Sequence, residues 1–146
     1  VCSSRTWAPL VSQVKAAGDP MAQVRLVNSL MHAHPYIEDM PNWNQQEYWA
    51  TAFEFLKKSG DCEDYSIAKY MLLKAAGYPV ENMRVFSVRL RNLGLIGHAI
   101  LVVYEGNQAW VLDNRNPSVM DAKRVALEFQ PILSVNEQFW WYHTPK

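Results

Sequence analysis

The chain carries only two cysteines, Cys2 and Cys62. Two thiols cannot build a disulfide framework, so a stapled, loop-rich scaffold is excluded. Neither sign of charge is in excess, with 14 Lys plus Arg against 14 Asp plus Glu. Such a balance gives no case for nucleic acid or an anionic membrane as a general partner. No apolar run approaches the roughly 20 residues of a membrane-spanning helix. The longest, Ala99 to Tyr104, is of strand length. An initiator methionine and a signal-peptide pattern are both missing. The chain therefore reads as a processed or truncated piece of a longer product, and no targeting segment reports its location. Repeats, linkers and low-complexity tracts are absent as well.

What is there suffices for a globular core. Of 146 residues, 49% are hydrophobic and 12% aromatic. This length and composition predict a single domain over 1–146, with 1–19 as a peripheral N-terminal segment. Asp19 reads as an N-cap with Pro20 at the first helical position. Val24, Val27, Leu30 and Met31 then recur at helical spacing up to Pro35. A second helix is expected from about Trp43 to Lys58. A third runs from Cys62 to about Ala76, stopped by Gly77 and Pro79. Beyond Pro79 the period shortens. Met83–Leu90, His98–Glu105 and Ala109–Asp113 read as strands, the last two joined by a Gly106-Asn107 hairpin turn. The segment 118–129 is ambiguous. Pro131–Val135 and Gln138–His143 read as two short final strands. Helices first and a sheet second give an α+β fold.

Chemistry gathers at Gly60-Asp61-Cys62-Glu63-Asp64-Tyr65. Gly60 suits a sharp entry turn, and Asp61 reads as an N-cap. Cys62 then falls at the first helical position, where unpaired N–H groups and the helix dipole favour a thiolate. A capped helix with a small buried cysteine would carry the same letters.

The hairpin supplies the remaining parts. With Gly106 and Asn107 at its centre, Ile100 faces Asp113, and His98 shares their side of the sheet. His98 and Asp113 become diagonal neighbours, roughly 7–8 Å apart at the backbone. One more residue in the loop would separate their faces. Read alone, Asp113 could cap the turn Asn114–Pro117, and His98 could be a satisfied core histidine. Read together with Cys62, the three form a nucleophile, a base and an orienting carboxylate. The Cys62 N–H is the natural first oxyanion donor, and Trp43, Asn44 and Gln45 are candidates for a second.

The run Gly60 to Tyr70, then Gly97-His98-Ala99, then Val111-Leu112-Asp113-Asn114, resembles the bacterial transglutaminase-like cysteine proteinases of the LapG type. Tyr48-Trp49, Glu54 and the tail Asn136 to Trp141 are similar too. The resemblance implies a papain-like, transglutaminase-like α+β fold with the nucleophile at a helix N-terminus. It maps a catalytic triad onto Cys62, His98 and Asp113. It also implies a periplasmic endopeptidase that clips the N-terminal region of a large surface adhesin and so releases a biofilm. Calcium dependence and inhibition by an inner-membrane receptor for cyclic di-GMP come with the same resemblance.

A metal has a physical rationale in these residues. Asp61, Glu63 and Asp64 crowd a thiol that has to ionise, and three like charges would oppose that. A Ca²⁺ ion bound to them would remove the conflict, since calcium favours carboxylate oxygens in irregular geometry. A solvated acidic first turn is the alternative. Two other functions share these residues: an acyltransferase that uses the same triad with an amine acceptor, and a non-enzymatic binding module. Zinc on Cys62 and His98 lacks a paired ligand motif.

Overall fold

The computed structural model describes residues 2–33 and 62–143, with the side chains of 2–7, 32–33, 62–64 and 140 left outside the description. The expected helix from Trp43 to Lys58 lies outside the described residues, as do Gly60 and Asp61.

Among the described residues, three helices precede the sheet: α1 (Cys2–Ala17), α2 (Pro20–Ala33) and α3 (Cys62–Ala75). At the start of α2 the Asp19 carboxylate accepts from the Ala22 N–H at 3.1 Å. This is the cap the sequence predicts, with Pro20 at a position whose N–H would be unpaired anyway. The segment 1–19 departs from the peripheral role expected of it. Pro9 is accommodated within α1, and Leu10 and Val14, one turn apart, are both buried in the core.

Six strands follow among the described residues: β1 (Met83–Leu90), β2 (Ile96–Glu105), β3 (Gln108–Leu112), β4 (Met120–Asp121), β5 (Phe129–Val135) and β6 (Trp140–Tyr142). They form one sheet in the order β4-β3-β2-β1-β5-β6, with every neighbouring pair antiparallel. The architecture is α+β. The ambiguous segment 118–129 holds β4, a short helix α4 (Ala122–Val125) capped by Asp121, and a 3₁₀ turn over Ala126–Glu128.

The sheet is covered on both sides. Leu101, Val103, Leu112, Val85 and Val135 face the helices and join Val24, Val27, Leu72 and Leu73 in the larger core. Val88, Leu90, Ile100, Val102, Val111 and Phe129 form a second cluster, against which Ala122 and Val125 of α4 pack. This is why β2 reads as a nearly unbroken apolar run: every residue from His98 to Val103 is buried. Helix α3 is central in the same sense, with every residue from Ser66 to Leu73 buried. Ala75, the last residue of the helix, is exposed.

The entry to β2 is strained. Gly94 and Leu95 both take left-handed backbone angles, φ 72° and 62°. The turn is closed by the Leu95 N–H donating to the Leu90 carbonyl at 2.8 Å. Leucine pays about 1 kcal/mol or more for that conformation.

Candidate active site

Turn chemistry fixes the register from which the site is built. Gly106 (φ 60°) and Asn107 make the two-residue turn, and Leu101 faces Leu112 across the ladder, Val103 facing Trp110. Extended by one residue, this register sets Ile100 opposite Asp113, as the sequence predicts. β3 ends at Leu112, so Asp113 stands just past the strand, where its carboxylate can turn towards both the ladder and the following loop.

His98 Nε2 lies 2.8 Å from Asp113 Oδ1, and the two residues are only 5% and 4% exposed. An ionised carboxylate only accepts, so Nε2 carries the proton that joins the pair, and in a neutral ring the lone pair would then sit on Nδ1. Burial would raise the Asp113 pKa. Hydrogen bonds from His98 and Arg115, with the charge of His98, overcome it and hold the carboxyl well below the usual carboxylate range.

Asp113 also caps its turn. Its Oδ1 accepts from the Arg115 N–H at 3.0 Å, and Asn116 N–H donates to the Asp113 carbonyl at 3.0 Å. The turn cap and the hydrogen bond to His98 therefore coexist in one side chain. Arg115 adds two donors the sequence reading missed, Nε at 3.0 Å and Nη2 at 2.8 Å, both on Oδ2. An arginine two residues after a buried aspartate, within its turn, was the available signal. These groups border a pocket of about 220 Å³ lined by Val111, Asp113, Arg115, Met120, Val125 and Phe129, among others.

Lys69 of α3 was missed as well. It is 1% exposed, and its Nζ meets no hydrogen-bond partner among the described residues. Burial pushes its pKa down to about 8, against the opposing pull of the Asp113 charge. A lone charge within the apolar run Ile67 to Leu73 was its signal in the sequence.

The start of α3 belongs to the same end of the sheet. Just beyond its C-terminus, the Tyr78 hydroxyl donates to the Glu105 carboxylate at 2.6 Å, at the far end of β2. α3 has 14 residues, about 20 Å. His98 to Glu105 spans about 23 Å of strand. The helix therefore runs back along β2 and brings its first residue, Cys62, to the His98 end. The side chains of Cys62, Glu63 and Asp64 lie outside the described residues, as does Asp61 entirely. Among the described residues no group of three or more His, Cys, Asp or Glu is placed to hold a metal ion.

Residues 2–145 match the family described as bacterial transglutaminase-like cysteine proteinase (BTLCP). Among solved structures, the fold is similar to calcium-bound LapG from Legionella pneumophila. That match has a TM-score of 0.69 and 26% identity over 94% of this chain and 76% of that one. EGTA-treated LapG from the same organism gives a TM-score of 0.69 and 24% identity over 94% and 74%. A comparison with curated protein sequences gives no match.

Proposed function

The chain belongs to the bacterial transglutaminase-like cysteine proteinases and is a cysteine protease, and we propose on that footing that Cys62, His98 and Asp113 are its catalytic triad. The observation that carries this reading is the buried His98–Asp113 pair, standing at the end of the sheet to which α3 delivers Cys62. Asp113 orients the imidazole through Nε2. Nδ1 takes the thiol proton as the Cys62 sulfur attacks a peptide carbonyl. The oxyanion of the tetrahedral intermediate is met by the Cys62 N–H at the helix start. The imidazolium then protonates the departing amine, leaving a thioester. Water, deprotonated by the same imidazole, hydrolyses the thioester and restores the thiol.

Asp61, Glu63 and Asp64 would hold a calcium ion. Their donors are hard carboxylate oxygens, two of them in the first turn of α3, which is the chemistry calcium selects. When bound, the ion would supply positive charge that offsets three carboxylates beside the nucleophile. The calcium-bound and EGTA-treated states of LapG support this reading. The substrate is a protein, in this reading the N-terminal region of a large surface adhesin. The setting is the periplasm, and an inner-membrane cyclic di-GMP receptor is the inhibitor. Among the described residues, no helix is long and apolar enough to cross a membrane.

The test is to incubate the protein, and Cys62→Ala, with an adhesin N-terminal fragment, with and without EGTA. Cleavage by the unmodified protein alone, lost in EGTA and restored by calcium, is expected. Cleavage that survives Cys62→Ala ends the triad reading, and indifference to EGTA ends the calcium reading.

A further inference from the structure

We propose that Arg115 is a positioning residue of the proteolytic site, whose guanidinium fork aims the Asp113 carboxylate at His98. The inference rests on the triad reading for its meaning in catalysis, but its geometry stands on described residues alone.

A carboxylate rotates about its last single bond, and an aspartate just past the end of a strand has no ladder to hold it. Asp113 is held by four donors. Oδ1 receives His98 Nε2 at 2.8 Å and the Arg115 N–H at 3.0 Å. Oδ2 receives Arg115 Nε at 3.0 Å and Nη2 at 2.8 Å. Four donors fill the acceptor capacity of a carboxylate. The backbone N–H alone would leave the group free to pivot about Oδ1. Gripping Oδ2 from two nitrogens of one rigid plane stops the pivot, and with it any swing of Oδ1 away from the imidazole. The plane is fixed in turn by Phe129, whose ring centre lies 5.7 Å from the guanidinium carbon. A lysine could replace the charge but neither the fork nor the stacking.

The charge of Asp113 also reaches the buried Lys69 ammonium, which meets no hydrogen-bond partner among the described residues.

The experiment uses the whole protein and two readouts. The first is the downfield proton resonance of the imidazole N–H donated to Asp113, visible because His98 is almost fully shielded from solvent and assigned by its loss in His98→Gln. The second is kcat and KM for peptide cleavage. In Arg115→Met the resonance should move upfield by about 1 ppm or more and broaden, with kcat falling at least tenfold and KM little changed. Arg115→Lys should resemble Arg115→Met. Since the Arg115 side chain is 36% exposed and borders an open pocket, millimolar guanidinium should recover much of both signals in Arg115→Ala.

An unshifted resonance in Arg115→Met would overturn the proposal, whatever happens to cleavage. Full recovery by lysine would show that charge, and not the fork, is what counts, and would overturn it equally. If Arg115→Met does not fold, rescue of Arg115→Ala by guanidinium decides. A parent protein that cleaves nothing would fail the triad reading, while the resonance would still report on the grip of Arg115.

Discussion

The imidazole of His98 and the carboxylate of Asp113 are joined at 2.8 Å, both withdrawn from water, the one on β2 and the other just past the end of its hairpin partner β3. Asp113→Asn keeps the shape and removes the charge. The amide can present its NH₂ group to Nε2 and so favour the wrong tautomer. Cleavage should fall about 10³-fold with the fold retained. Circular dichroism and single-turnover kinetics on the same sample would check this; a loss below tenfold would refute it.

The same carboxyl makes acid stability a readout. Its folded-state pKa is depressed. Its contribution is therefore fully present above the unfolded value near pH 4 and is lost as pH falls below it. Urea midpoints measured from pH 6 to pH 3 should fall less steeply in Asp113→Asn than in the parent. Parallel curves would contradict the assignment.

Lys69 acts in the opposite range. Its pKa falls from 10.5 to about 8 on folding, so the unfolded chain binds more protons between those values. Stability should rise with pH across that window and gain on the order of 3 kcal/mol at its top. Tyr78 and Tyr104 bend the curve back. Burial holds both phenols protonated, with Glu105 reinforcing Tyr78, and ionisation in the unfolded chain above about pH 10 then favours unfolding. In Lys69→Met the rising limb should vanish and the melting temperature at pH 7 should increase, since a buried ammonium with no hydrogen-bond partner among the described residues gives way to an apolar chain of similar length.

Tyr78 ties the end of α3 to the end of β2 through Glu105. Tyr78→Phe should cost about 1–2 kcal/mol in urea unfolding, and Glu105→Gln a similar amount. The double variant should lose little beyond either single one, because both remove the same bond.

At the entry to β2, Leu95 is 46% exposed and left-handed. Asparagine tolerates that backbone at lower cost. Leu95→Asn should raise stability by about 1 kcal/mol, and thermal melting would show it.

Most of the hairpin was legible in the sequence because its cause is local. Two turn residues set the register, and the register brought His98 to Asp113. Met83 and Leu90 bound β1 in the structure as they do in the sequence pattern. Helix α1 was less visible, since Pro9 interrupts its pattern while Leu10 and Val14 find their partners only in the assembled core. Arg115 and Lys69 were missed for a related reason. Their importance comes from how far a long side chain reaches in three dimensions, and periodicity carries no record of that. Segment 118–129 stayed ambiguous because β4 contributes only Met120 and Asp121, too short a stretch to show a period.

The order of the elements has a further consequence. On the proposed triad, base and orienter share one tight hairpin, while the cysteine comes on a helix from earlier in the chain that must dock beside it. A half-made chain, built from its N-terminus, would hold the Cys62 sulfur with no imidazole yet to activate it. Proteolytic competence would then be acquired at the final closure of the core, so an incompletely folded copy would pose no danger to its surroundings.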